Sequence, residues 1–305
     1  MADNDIDVSI ILPVYNRAED LHRCLRALAA QDTGEVTFEI IVVNNASTVP
    51  IEPIVRSYPS VIYTEETRPG VSKARNKGAA LAKGHFLAFI DGDTFPDVQW
   101  LQCGYQFCTT HLVPGVVAAG RIQPYLEKNN FWERVDRESL NQRHFVNKFQ
   151  MAACGNFWLL RSYFQELGGF DESLALYEDF DLTRRVRDSG GSVLYLHDAF
   201  VWHRCRSTWR STYIRTLRQA RALLVAFRRW GMTSRLKMAY LAVHSRVIKC
   251  WWTVWGLNEQ TPERLHIRLG RLMIIWIEIG ALLWFIVTEP HNTKKELALM
   301  QQSQE

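Results

Sequence analysis

Two short acidic clusters carry most of the chemistry this chain could do. Asp91-Gly92-Asp93 follows directly on the apolar run HFLAFI. Two carboxylates at i and i+2, at a strand's end with glycine between, can converge on one hard cation. Mg²⁺ and Mn²⁺ favour oxygen ligands and share their shell with substrate phosphates. Asp-Gly is also a common solvent turn, so the pair has a plain structural reading too. The second cluster, Tyr177-Glu178-Asp179, stands just before LTRRVRDSG. That is a helix N-terminus, where the dipole stabilises negative charge. Acids there either cap the helix or serve as a base toward a hydroxyl. His203 closes AFVWH; its imidazole either completes a cation's shell or is structural.

The elements around these residues alternate. Val8–Pro13, Phe38–Val43 and His85–Ile90 are short apolar runs that read as buried strands, with Val61–Tyr63 a weaker one. Glu19–Gln31 places Leu21, Cys24, Leu25 and Leu28 on one helical face. Ser72–Lys83 is helix-forming and stops at Gly84, a glycine suited to a C-cap. Alternation of this kind calls for a largely parallel α/β sheet that binds ligands at the carboxyl ends of its strands. Further on, Val116–Ala119 and Met151–Leu160 read as strands, Asp179–Ser189 as a helix before Gly190-Gly191, and Val193–Trp202 as one or two strands. From Ser207 the strand signals stop, and Thr208–Trp230, Ser234–Trp255 and Pro262–Val287 read as helices.

Composition bounds these readings. With 305 residues, 47% hydrophobic and 22% charged, the chain is ordinary globular protein, not disordered or fibrous. A mean hydropathy of −0.16 is too polar for a polytopic membrane protein. The six cysteines are scattered without a Cys-x-x-Cys pair, which fits reduced thiols in a cytosol. The first thirty residues hold no basic-then-apolar segment, so a cytoplasmic protein is expected. Charge is uneven: residues 204–271 hold 15 Lys and Arg against Glu259 and Glu263 alone, while residues 1–203 carry an acidic excess. Eight of the eleven tryptophans lie from Trp202 onward.

Five ordered blocks make the chain resemble glycosyltransferase family 2. They are SIILPVYNRAEDLHRCLRAL, EIIVVNNAS, GVSKARNKGAALAKGHFLAFIDGDT, CGNFWLLRSYFQELGGFDE and YEDFDLTRRVRDSG, and the likeness runs from about residue 8 to residue 210. The resemblance implies a GT-A fold, a Rossmann-like mixed and mostly parallel sheet flanked by helices. It implies an inverting transferase of hexosyl type, using a nucleoside diphosphate sugar. By that resemblance Pro13, Val14, Tyr15 and Asn16 line the base and ribose, and Asn45, Arg75 and Asp91 meet the donor. Asp91, Asp93 and His203 hold Mn²⁺ or Mg²⁺. Gly155, Asn156 and Glu178 face the acceptor, and Asp179 is the base. Many relatives carry an acidic pair where Asn44-Asn45 stands, and an asparagine oxygen can still accept the imide N–H of uracil. UDP or dTDP is therefore expected ahead of GDP.

Residues 1–203 are expected to be the catalytic domain, 204–289 a basic, aromatic-rich helical region, and 290–305 a polar tail. Basic residues with interfacial aromatics fit helices lying on an anionic bilayer. Leu272–Val287 is an apolar run of 16 residues containing Glu278. That is short of the roughly 20 residues a span needs. Attachment to the inner face of the membrane is expected over crossing, with a helical subdomain or homo-oligomer interface as the alternative. Nucleic acid is not expected, because the long apolar runs there suit lipid or protein burial. The acceptor is expected to be a glycan or lipid-linked glycan in surface polysaccharide or glycolipid assembly. The alternatives are a sugar nucleotidyltransferase, which would want a glycine-rich loop where PVYNRAED stands, and an inactive membrane-associated relative. No G-x-G-x-x-G follows the first strand, which disfavours a dinucleotide oxidoreductase.

Overall fold

The apolar runs become β1 (Val8–Val14), β2 (Phe38–Asn44), β3 (Val61–Glu65) and β4 (Phe86–Ile90). Every residue of β1 and β4 is buried. That is the pattern of strands covered on both faces, and it explains why they read as continuous rather than alternating runs. The computed structural model describes residues 6–137, 141–231 and 262–288. Three helices serve as crossovers: α1 (Ala18–Ala29), α2 (Glu52–Arg56) and α3 (Val71–Leu81). α1 buries Leu21, Cys24, Leu25 and Leu28, the face its spacing predicts. α3 ends earlier than expected, at Leu81, with Ala82 already extended. Gly84 is not its cap. A Cβ there would lie 2.4 Å from the Ser9 backbone nitrogen, so this glycine lets the chain enter β4 pressed against β1.

After β4 come β5 (Thr94–Pro96), α4 (Trp100–His111), β6 (Val116–Tyr125), α5 (Phe131–Arg137), α6 (Gln142–Phe149), β7 (Asn156–Leu160), α7 (Arg161–Glu166), α8 (Glu178–Asp188) and β8 (Ser192–Arg204). The eight strands form one sheet in the order β3-β2-β1-β4-β7-β6-β8-β5. β1 pairs in parallel with β2 and β4, β2 with β3, and β6 with β8. β7 runs antiparallel between β4 and β6, and β5 antiparallel on β8. The sheet is mixed with parallel pairing in the majority, as expected. β6 continues to Tyr125, past the expected Ala119, because β8 stays beside it across a register shift at Gly120/Arg121. β7 starts at Asn156 rather than Met151.

The chain divides into two compact units: Met1–Tyr125 with Leu140–Glu172 and Glu178–Arg204, and Leu126–Ser139 with Ser173–Tyr177 and Cys205–Glu305. Two segments from within the first 203 residues thus belong to the helical unit, not the sheet unit. Besides α5, the helical unit contains α9 (Trp209–Arg229) and α10 (Pro262–Thr288). The expected helix Ser234–Trp255 lies outside the described residues. α9 starts on the Thr208 side chain, which accepts from the Ser211 N–H. It buries Ala220, Leu223 and Leu224 against Leu282 and Ile286 of α10. The buried carboxylate of Asp136 on α5 accepts from Arg215 at 2.7 Å and from the Arg206 N–H at 2.9 Å.

Candidate active site

The carboxyl end of β4 turns at once. The Asp91 carbonyl accepts from the Thr94 N–H at 3.0 Å and from its hydroxyl at 2.7 Å, closing Asp91-Gly92-Asp93-Thr94 into a tight turn. The two acids of that turn face different partners. Asp91 Oδ1 lies 2.6 Å from the Arg75 guanidinium. Asp93 Oδ1 lies 3.6 Å from His203 Nε2, and its Oδ2 is 3.8 Å from Arg17. β8 delivers His203 because it pairs with Thr94 across the β5–β8 ladder.

Arg75 joins the two acidic clusters. It projects from α3 into the interior, where it is 4% exposed, and its guanidinium bonds Asp91 with one arm and Glu178 Oε1 with the other. Its Cζ also sits 5.6 Å from the Phe170 ring centroid. Arg75, expected to meet the donor, sets each terminal nitrogen against a carboxylate, and its Nε is buried without a hydrogen-bond partner. Burial by itself disfavours the charged guanidinium, but Asp91, Glu178 and Asp179 more than offset this and raise its pKa. Arg75 is thus a fixed counter-charge for the cluster.

Glu178 and Asp179 open α8, after Tyr177 turns the chain with φ of 66°. Burial pushes Glu178 up to about 7; the Asp179 charge adds to that and Arg75 opposes it. Burial also raises Asp179, against the pull of Arg75. Asp179 is held differently from its neighbours. Its Oδ1 accepts from the Phe180 N–H at 2.8 Å and its Oδ2 from the Cys154 N–H at 3.3 Å, while it keeps partial exposure. Gly155 follows Cys154. A Cβ on it would sit 3.4 Å from Asp91 Oδ2 and 3.3 Å from Ile122, so glycine keeps open the space beside that carboxylate.

Several expected contacts are turned elsewhere. Asn156 is fully buried. Its oxygen accepts from the indoles of Trp100 and Trp158, and its nitrogen donates to the Arg121 and Ala199 carbonyls. It therefore supports the sheet and cannot reach an acceptor. Asn45 is likewise consumed: it donates to the Glu66 and Arg68 carbonyls and accepts from the Gly70 N–H. That clamps the loop into α3 and uses both amide N–H groups. Asn16, at φ 52°, accepts from the Thr48 and Val49 N–H groups and so holds the loop after β2. Pro13 and Val14 are buried inside β1, whereas Tyr15 just beyond is half-buried.

The expected metal residues are Asp91, Asp93 and His203. Among the described residues no three His, Cys, Asp or Glu side chains converge on a cation position. Asp91 Oδ1 is bonded to Arg75, and Asp93 lies beside His203. A pair of donors 3.6 Å apart fits the shell of a single ion with bonds of about 2.1 Å, and Mg²⁺ is commonly held by one or two protein ligands plus phosphate oxygens. The residues therefore fit a cation that arrives with an anionic ligand. Sequence reasoning missed the chain of charges behind Asp93. Asp20 is 3.2 Å from Arg17 and 2.8 Å from Arg204, while Arg17 reaches Asp93. The i, i+3 spacing of Arg17 and Asp20 is its only local signal.

A mixed α/β sheet with acids gathered where β4 ends and α8 begins defines a GT-A-type transferase. The chain belongs to glycosyltransferase family 2: residues 9–168 match the Glycosyl transferase family 2 domain. It is 30% identical over 207 residues to the glycosyltransferase AglE of Haloferax volcanii, covering 65% of this chain and 67% of that protein. It is 28% identical over 219 residues to the pre-mycofactocin glycosyltransferase of Mycobacterium tuberculosis, covering 67% and 44%. The validoxylamine A glucosyltransferase of Streptomyces hygroscopicus subsp. jinggangensis is 37% identical over 100 residues, covering 31% and 24%. The matched region is thus less than half the length of the latter two. The protein is a glycosyltransferase.

Proposed function

We propose that this glycosyltransferase moves a sugar from a nucleoside diphosphate to an acceptor hydroxyl with inversion at the anomeric carbon, Asp179 acting as the base. One observation carries the reading. Within the cluster, Asp91 and Glu178 each commit an oxygen to Arg75, whereas the Asp179 carboxylate is held by two backbone N–H groups and keeps partial exposure. It is the acid best placed to receive a proton. The hydroxyl oxygen bonds to the anomeric carbon, its proton passes to Asp179, and the carbon–oxygen bond to the diphosphate breaks with its electron pair leaving on phosphate.

Asp93 and His203 would hold Mn²⁺ or Mg²⁺, which when bound neutralises charge on the departing diphosphate. Tyr15, at the end of β1, offers a ring toward the base, and the donor is read as a UDP- or dTDP-sugar. With Asn45 committed to its loop, that base preference rests on the family likeness. Gly155 leaves room for the acceptor, read as a glycan or lipid-linked glycan. The basic residues 204–271 favour a protein peripheral on the inner membrane face.

A thermal-shift screen of nucleoside diphosphates with and without Mn²⁺ tests donor and cation together. UDP or dTDP should stabilise the protein more with Mn²⁺ than without, and Asp93→Ala should erase that difference. A shift that ignores the metal, or survives in Asp93→Ala, would remove the cation from the account.

A further inference from the structure

Asp93 faces partners of two kinds. Its Oδ1 lies 3.6 Å from His203 Nε2, and its Oδ2 lies 3.8 Å from Arg17 Nη2. Arg17 also serves a second acid. Its Nη1 donates to Asp20 Oδ2 at 3.2 Å, and Arg204 donates to that same oxygen at 2.8 Å. Arg204 is tied to Asp93 as well, its backbone N–H reaching the Asp93 carbonyl at 3.4 Å. The Asp20 side chain is 5% exposed, that of Arg17 43%. The sequence places them to meet: Arg17 directly precedes α1, and Asp20 follows three residues on, one helical turn away.

A carboxylate buried this deeply is costly without counter-charge, so Asp20 holds both guanidinium groups in place. Arg17 is thereby kept beside Asp93 Oδ2. A divalent cation taken by Asp93 enters next to that guanidinium, and like charges repel. Arg17 is also the member of the group with an exposed side chain. Diphosphate oxygens suit its planar fork, which pairs well with phosphate in a bidentate way. Cation and Arg17 thus compete for Asp93, and an anion that engages Arg17 relieves the competition. Linkage makes the effect mutual: by whatever factor a diphosphate strengthens the cation, the cation strengthens the diphosphate.

We propose that Arg17 guards Asp93, so that the cation binds weakly alone and tightly with a nucleoside diphosphate, and that Asp20 is the positioning residue that keeps Arg17 there. This rests on the reading that Asp93 holds the cation and is independent of the chemistry at Asp179. The test is Mn²⁺ binding to the full-length protein, read as loss of the free-ion electron paramagnetic resonance signal. It is run without nucleotide and with UDP, dTDP and GDP in turn, corrected for the ion each nucleotide binds by itself. Arg17→Ala should tighten Mn²⁺ alone by about tenfold, the removal of one partly screened like charge, and the gain from nucleotide should shrink to match. Arg17→Gln, which can still donate to Asp20, should behave the same way. Arg17→Lys keeps the charge and should stay within about threefold of wild type. A residue that merely supports the fold would not strengthen ion binding when removed. Mn²⁺ no tighter in Arg17→Ala and Arg17→Gln, with nucleotide-dependent binding abolished by Asp93→Ala, would overturn the guard and leave the cation site standing. Binding that survives Asp93→Ala, or is absent from wild type with all three nucleotides, would remove the cation reading and this proposal with it.

Discussion

Asp179→Asn should slow sugar transfer by about 10²–10⁴-fold, the range typical of a lost general base. The substitution is close to isosteric, and the asparagine oxygen can still accept from the Phe180 or Cys154 N–H, so folding and nucleotide binding should persist. The loss should appear in kcat and leave donor KM nearly unchanged, because only the proton acceptor is gone. The wild-type rate should also depend on pH. Burial raises both Asp179 and its neighbour Glu178, the latter to about 7, and a base works only when ionised. Rate should therefore climb with pH on the acid side of neutrality, and that limb should vanish in Asp179→Asn. A steady-state profile of both proteins checks each point; a variant within a few-fold of wild type would reassign the base.

Arg75→Ala should be strongly destabilising. It strands Asp91 and the buried Glu178 without their shared cation. Breaking a buried pair from one side costs about 3–5 kcal/mol. For a protein of this size that lowers Tm by on the order of 10 °C. The pH dependence has a definite sign. An acid whose folded pKa stands above its unfolded value makes the folded state bind protons more tightly, so stability is gained as pH falls. Glu178 is such a group, and removing Arg75 takes away the influence that restrains its rise. The deficit in Arg75→Ala should thus be greater at pH 8 than at pH 5, and Glu178→Gln in the same background should recover part of it. Melting curves at the two pH values decide this; equal deficits would mean that the carboxylates are not what Arg75 supports.

Much of the sheet is legible in the sequence because β1, β2 and β4 are interior strands, and burial on both faces leaves an unbroken apolar run. α1 and α8 announce themselves by spacing and by acids in the first turn. What cannot be read locally is neighbourhood. The place of β7 between β4 and β6, antiparallel to both, is a matter of topology that local periodicity does not encode. β5 is three residues long and exists only through its ladder to β8. α4 gives little periodic signal, since its buried residues Trp100, Leu101, Gly104 and Cys108 include a glycine and a cysteine among few strong apolar markers. At the site, residue types and order name the candidates, but only the fold shows which partners each one has. Arg75, Asn45 and Asn156 each look available in the sequence, and each has hydrogen-bond partners inside the fold that no local pattern announces.

The anomeric form of the sugar first released is the most direct test of single displacement with one base. Donor hydrolysis, with water as acceptor, can be followed by proton NMR before the free sugar equilibrates. An α-linked donor should give the β anomer first, because only Asp179 stands ready to activate the attacking oxygen while Glu178 and Asp91 remain tied to Arg75. Initial release of the α anomer would mean retention, by double displacement or by attack on the leaving-group face, and would contradict the account.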